Sequence, residues 1–172
     1  MKAPFPLQTW IDENRDRLRP PVGNQVLFED TEFIVMAVGG PNARCDYHIN
    51  ASEEIFYMVE GDMVLRIMEE EGPRDLPIRQ GEIFLLPGGI PHSPIRKADT
   101  VGLVIERTRR EGEKDALRWY CPACGAHLHE ERFALHDIVA QLREILEGFY
   151  ASEARRTCGA CGHVMPVPGG GD

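Results

Sequence analysis

The sequence predicts a mainly β fold, a barrel or sandwich of short strands, with a helix before it and a helix-containing extension after it. Three observations predict this. Short apolar runs rich in Val, Ile and Phe recur between residues 24 and 120: Gln25–Phe28, Phe33–Val38, Ile55–Glu60, Met63–Met68, Ile83–Leu86 and Val101–Arg107. Turn residues separate them, as in Glu60-Gly61-Asp62 and Glu71-Gly72-Pro73. Helical spacing occurs only at the flanks. Many short strands with such punctuation make a sandwich or barrel.

Taken in order, Leu7, Trp10, Ile11, Asn14 and Leu18 fall at helical spacing, and Pro20 and Pro21 stop that helix. The strand region follows. From His136 to Phe149, the residues Ile138, Leu142, Ile145, Leu146 and Phe149 form one stripe, so this segment predicts an amphipathic helix. The Pro/Gly-rich stretch 166–172 is expected to be a flexible tail. The expected organisation is a barrel with its helix over 1–120, an extension packed on it over 121–165, and the tail.

Length and composition bound the function. With 172 residues, of which 42% are hydrophobic, the chain fits one domain with a small appendage. A net charge of −9 argues against a nucleic-acid partner, which needs clustered Lys and Arg. The apolar runs are too short to span a membrane, and Met1 to Trp10 lacks the apolar core of a signal peptide. A cytoplasmic, soluble protein is expected.

Two segments carry metal-binding chemistry. Residues 48–61 read H-x5-E-x6-G, with His48, Glu54 and Gly61; residues 81–96 read G-x5-P-x-G-x2-H-x3-R, with Gly81, Pro87, Gly89, His92 and Arg96. The glycines and Pro87 turn the chain at strand ends, so that ligands project inward from neighbouring strands. His48 and Glu54 share parity and would share a face if one unbroken strand held both, but Asn50 to Ser52 also reads as a bend. A lone histidine is more often a surface or loop residue than a ligand. Two ordered motifs together outweigh that reading. Both resemble the signature motifs of the cupin superfamily, a jelly-roll barrel. Where cupins often carry a paired His-x-His, this chain has Asp46 and His48. The ligand set is then His48, Glu54 and His92, a two-His, one-carboxylate triad with open positions, suited to non-haem Fe(II). Glu53 competes with Glu54, which fits the spacing to Gly61.

Cys121-Pro122-Ala123-Cys124-Gly125 and Cys158-Gly159-Ala160-Cys161-Gly162 are two knuckles, which with Cys45 account for all five cysteines. An odd number arranged this way reads as a metal clip plus one free thiol rather than a disulfide framework. Four thiolates close a tetrahedral structural site for Fe or Zn. His127, His129 and His163 are expected at the surface. Beside the metal motifs stand Arg44 and Arg96. Two arginines flanking the ligands predict a carboxylate on the substrate, held by charge-assisted hydrogen bonds.

The whole chain resembles the 3-hydroxyanthranilate 3,4-dioxygenase family, the bacterial type with a C-terminal rubredoxin-like four-cysteine site. The resemblance lies in Trp10-Ile11-Asp12-Glu13, Pro20-Pro21-Val22-Gly23-Asn24, Gly39-Gly40-Pro41-Asn42, Asp46-Tyr47-His48, the 81–87 run, His92-Ser93-Pro94, Leu103-Val104-Ile105-Glu106-Arg107, Trp119-Tyr120-Cys121 and Phe149-Tyr150-Ala151-Ser152-Glu153. It implies catalytic Fe(II) at His48, Glu54 and His92, substrate and oxygen contacts from Arg44, Arg96 and Glu106, and a pocket wall that includes Asn24. It implies that Glu106 orients Arg96 or accepts a proton, and that Glu54 borders the substrate as well as the metal. The substrates would be 3-hydroxyanthranilate and O2. The product would be 2-amino-3-carboxymuconate semialdehyde, which feeds quinolinate and NAD synthesis and lies on the kynurenine route of tryptophan catabolism. Cys121, Cys124, Cys158 and Cys161 would form the second metal site, with a homodimer as the assembly. Rival readings are a cupin dioxygenase for a related aminophenol or catechol acid, and a non-catalytic cupin that binds a small acid.

Overall fold

Among the described residues, eleven strands form two antiparallel sheets that face each other across a shared core. The computed structural model describes residues 3–19, 23–42 and 44–168. One sheet has the order β1 (Asn24–Val26), β2 (Phe33–Gly39), β9 (Val101–Arg107), β4 (Glu54–Glu60) and β7 (Ile83–Leu86). The other runs β11 (His127–Phe133), β10 (Asp115–Tyr120), β3 (Tyr47–Ile49), β8 (His92–Arg96), β5 (Met63–Glu69) and β6 (Gly72–Ile78). Crossings between the sheets, such as β2 to β3 to β4, give the jelly-roll barrel expected of a cupin.

Alternation decides which side chains enter the barrel. In β4, Glu54, Phe56 and Met58 are buried; in β5, Met63, Leu65 and Ile67 are. They meet Met36, Val104, Leu117 and Trp119 in one core. Polar residues among these inward positions, at one end of the barrel, are therefore committed to a site rather than to solvent.

The N-terminal helical segment is broken, not continuous. Helix α1 spans Leu7–Glu13, and a 3-10 turn spans Arg15–Leu18. At the break, the Asn14 side-chain amide donates to the Trp10 carbonyl at 2.8 Å, offering the backbone an alternative to helix. Ile11 and Leu18 pack with Ala37 and Val101 outside the five-stranded sheet. The expected stop at Pro20 and Pro21 lies outside the described residues, as do the last four residues of the tail.

The expected C-terminal helix is α2, Ile138–Ala151, with Asp137 accepting the amides of Val139 and Ala140 as its cap. A short α3 follows at Glu153–Arg156. Three strands carried little sequence signal. β6 contains Pro73 and Pro77 and is tolerated because it lies at a sheet edge. β10 carries Asp115 and Arg118 among its apolar residues, and β11 is largely polar; β11 pairs along β10 and extends the six-stranded sheet.

Candidate metal and substrate site

The two motifs converge because each feeds a short strand into the same end of the barrel. His48 on β3 and His92 on β8 are direct partners across the six-stranded sheet. Glu54 opens β4 in the opposite sheet. The 50–53 segment is thus the bend that carries the chain between sheets, and the unbroken-strand alternative does not occur. One ligand atom from each of His48, Glu54 and His92 lies within 4.8 Å of the other two, and all three residues are buried. Glu53, the competing carboxylate, is exposed.

The loops that hold these strands touch closely. The Gly89 amide donates to the Asn50 carbonyl at 2.7 Å. A Cβ on Gly88 would meet the Ala51 carbonyl oxygen at 2.5 Å, so the second motif's loop can lie on the first only with glycine there.

Each histidine is held from behind. His92 Nδ1 lies 2.9 Å from the Ile90 carbonyl, which leaves Nε2 facing Glu54 at 3.1 Å. His48 Nε2 lies 2.8 Å from Asp115 Oδ2, which leaves Nδ1 facing Glu54 at 3.5 Å. Burial alone would lower the His48 imidazole, but the Asp115 and Glu54 contacts outweigh it and raise it to about 9. Burial likewise works against the Glu54 carboxylate, yet His92 and His48 hold it well below the usual range.

A second carboxylate stands directly across from the first, because Glu54 and Glu106 are register partners of β4 and β9. Asn50 bridges them, its amide donating to Glu54 and, at 2.7 Å, to Glu106 Oε2. Arg109 Nη2 reaches Glu106 Oε2 at 3.0 Å. Burial and the Glu54 charge nevertheless push the Glu106 carboxyl up to about 7, and its Oε1 has no partner among the described residues. Glu54, Glu106 and Asp115 thus place three buried carboxyl groups around the His48 and His92 imidazoles, with Arg109 bridging Glu106 and Asp115. With two imidazole nitrogens and a carboxylate oxygen as donors, the residues present fit a transition metal such as Fe(II).

The triad opens into a cavity of about 490 Å³. Asn24, Arg44, Arg96 and Glu106 all line it. The two arginines differ. Arg44 is committed to Asp46, through Nε at 3.0 Å and through Nη2, and Asp46 stands outside the metal group. Arg96 has only Met58 Sδ, 3.3 Å from its Nη1, as a side-chain partner among the described residues. Its Nε and Nη2 have none, and burial lowers it to about 10. Gly102 makes room for it: a Cβ there would sit 2.8 Å from Arg96 Nη1. A buried cation with unpaired fork donors at a cavity wall fits a carboxylate.

Other participants carried no sequence signal. Asn50, Arg109 and Asp115 were not singled out, since polar residues between strands are common and only their convergence marks them. Helix α2 also walls the cavity, through Ile138, Leu142, Leu146 and Tyr150.

The second metal group lies at the other motif pair. Cys121, Cys124, Cys158 and Cys161 gather within the same 4.8 Å limit, with Sγ atoms of Cys121 and Cys161 at 3.6 Å and of Cys124 and Cys158 at 3.7 Å. The knuckles are hydrogen-bonded alike: Gly125 donates to the Cys121 carbonyl and Gly162 to that of Cys158. The amides of Cys161 and Ala160 pull the Cys158 thiol down to about 7, whereas at Cys124 a backbone hydrogen bond at Ala126 is outweighed by the neighbouring thiols, which push it up to about 12. Without a metal the cluster therefore favours one thiolate rather than four. Cys45 stands apart, 3.2 Å from the Tyr150 hydroxyl. His127 and His163 are exposed, and none of His127, His129 and His163 joins the cysteines.

Comparison with known proteins adds an independent line. The family described as 3-hydroxyanthranilic acid dioxygenase matches residues 1–150. A 3-hydroxyanthranilate 3,4-dioxygenase of Xanthomonas euvesicatoria is 50% identical over 96% of this chain and 93% of its own length. One from Jannaschia is 52% identical over 94% of this chain and 91% of its own. Among solved structures, a cupin-2 domain protein from Shewanella frigidimarina is 18% identical, at a TM-score of 0.45, over 59% of this chain and 99% of that one.

Proposed function

The chain belongs to the 3-hydroxyanthranilic acid dioxygenase family, and from that membership we propose how its own residues carry out the family reaction. The reaction opens the ring of 3-hydroxyanthranilate with O2, placing both oxygen atoms in 2-amino-3-carboxymuconate semialdehyde. Loss of water from that product closes it to quinolinate. The observation that carries the assignment to this site is the meeting of buried His48, Glu54 and His92 on the wall of a cavity that Arg96 also lines, its Nε and Nη2 without partners among the described residues.

His48, Glu54 and His92 would hold Fe(II). Bound there, such a metal would supply the redox chemistry that lets dioxygen react with the substrate ring. Arg96 would receive the substrate carboxylate on its Nε and Nη2 and so aim the ring, the positioning contribution to catalysis. Arg44, fixed by Asp46, shapes the same wall and adds positive charge to it. Asn24 borders the same pocket. Glu106 is read as the acceptor of the proton that the substrate hydroxyl gives up on binding. Its partners, Asn50 and Arg109, favour this over orienting Arg96, which it does not touch among the described residues. Apolar walls from α2 and the β2 and β9 side chains Met36 and Val104 exclude water.

The four-cysteine site suits Fe or Zn in a structural role, and metal analysis separates the two. We read residues 121–165 as an extension packed on the barrel of 1–120, supported by the pairing of β11 with β10. A homodimer is the expected assembly; the outer face of the five-stranded sheet, with Ile83, Leu85 and Phe33 exposed, offers apolar area for it. Among the described residues no helix is long and apolar enough to cross a membrane. A cytoplasmic location suits the unpaired Cys45 and the clustered thiols.

The test is aerobic turnover of 3-hydroxyanthranilate by metal-stripped protein resupplied with Fe(II). Oxygen uptake matched to substrate loss, with growth of a near-ultraviolet product band, is expected. Substrate binding with no oxygen uptake would make the chain a small-acid binder. Faster turnover of another aminophenol or a catechol acid would change the substrate.

A further inference from the structure

The side chains behind the triad form a closed ring. His48 Nε2 meets Asp115 Oδ2 at 2.8 Å. Asp115 receives Arg109 through Nε at 2.5 Å and Nη2 at 2.6 Å, a fork on a carboxylate. Arg109 Nη2 continues to Glu106 at 3.0 Å, Asn50 joins Glu106 to Glu54, and Glu54 returns to His48. Asp115 is fully buried and the Arg109 side chain is 5% exposed. A solvated surface pair would not explain such burial.

Strand register puts Asp115 there. Leu117 on β10 is the direct partner of His48 on β3, so Asp115, two residues earlier on the same face, reaches the imidazole diagonally. Arg109 comes from the β9–β10 connection and folds back over both Asp115 and the end of β9, its Nη1 also donating to the Arg107 carbonyl at 2.9 Å.

A ligating histidine has two ring nitrogens, and the hydrogen bond at one decides which is left for the metal. Asp115, an anion held by Arg109, accepts only, so Nε2 keeps its proton and Nδ1, which faces Glu54, is the nitrogen a metal would take. His92 is oriented the opposite way, with Nδ1 tied to Ile90 and Nε2 inward.

We propose that Asp115, clamped by Arg109, is the positioning residue that makes His48 ligate through Nδ1 and that couples this ligand to Glu106 across the site. The inference rests on the reading of His48, Glu54 and His92 as metal ligands.

Full-length protein labelled with 15N-histidine and loaded with Zn(II) gives the direct test. Long-range 1H–15N spectra are expected to show His48 protonated at Nε2 and metal-bound at Nδ1, and His92 the reverse. A His48 protonated at Nδ1 and bound through Nε2 overturns the proposal, and this measurement needs no variant. Chelator competition for Zn(II) then compares Asp115→Asn and Asp115→Glu with the parent. Asp115→Asn is expected to weaken binding by about 10–100-fold, with Asp115→Glu recovering part of the loss. Parental affinity in a folded Asp115→Asn protein overturns the proposal. Parent protein that takes up no Zn(II) at the triad refutes the metal reading itself, which separates the two failures.

Discussion

Replacing Arg96 with Met should make the protein no less stable while largely abolishing substrate binding. Arg96 is 2% exposed, and its Nε and Nη2 lack partners among the described residues. Burial lowers it from 12.5 to about 10. At roughly 1.4 kcal/mol per pH unit, holding that charge inside the barrel costs about 3 kcal/mol. A methionine of similar length beside Met58 removes the cost and packs apolar surface in its place. Two charge-assisted hydrogen bonds to the substrate carboxylate are lost, each about 1.5–3 kcal/mol, so the substrate Kd should rise by roughly 10²–10⁴-fold. The assay is anaerobic titration of iron-loaded protein with 3-hydroxyanthranilate, alongside thermal melts and metal content. The expected result is a melting temperature at or above the parent's, iron content unchanged, and binding lost. Affinity within about threefold of the parent, less than 1 kcal/mol, would show that the carboxylate is held elsewhere. A large fall in melting temperature would show that Arg96 supports the fold rather than costing it.

Other expectations are simpler. His92→Ala should lose catalytic iron, measured by metal analysis of the desalted protein, with its circular dichroism unchanged; full iron and full activity would remove His92 from the ligand set. Cys124→Ser should lower the melting temperature and release the second metal, while turnover per triad-bound iron stays within a few-fold; lost turnover in an intact, iron-loaded protein would contradict a structural role. Glu60 accepts Arg15 Nη1 and Nη2, both at 2.9 Å, and Gln8 at 2.5 Å, and Arg15 and Gln8 hold its carboxylate below the usual range against burial. A depressed carboxylate stabilises the fold above its unfolded value near 4.5 and loses that contribution as pH falls through the lower folded value. Arg15 is 44% exposed, so the contribution is about 1 kcal/mol or less. Glu60→Gln should therefore flatten the acid side of the stability curve by that small amount in chemical denaturation, and an unchanged acid slope would contradict the clamp.

The metal ligands were legible because each lies in a motif whose spacing is set by local turns: Gly61, Pro87 and Gly89 end strands where the ligands must point inward. The knuckles were legible for the same reason, each being one turn long. Glu54 over Glu53 was readable from spacing, and of the two only Glu54 is buried beside the histidines. The α1 break at Asn14 was not, since a side-chain bond to Trp10 competes with a helical pattern that looks continuous. β6 was hidden by its prolines, whose acceptance depends on an edge position that no local segment reveals.

The sequence by itself determined the barrel, the family, the His48–Glu54–His92 set and the four-cysteine cluster, because periodicity and short spacings are local properties of the chain. Only the tertiary structure decided what lies behind and around them. It divided the two arginines, giving Arg44 to Asp46 and leaving Arg96 with no carboxylate partner among the described residues. It placed Glu106 across from Glu54 by β4–β9 register, and brought Asp115 and Arg109 behind His48 through the pairing of β10 with β3. Apart from the local Arg44–Asp46 pair, these are contacts between residues more than fifty positions apart, or around a loop whose path no pattern encodes. Their consequence, a buried cluster of carboxyl and imidazole groups beside a buried guanidinium, exists only when the two sheets close on each other.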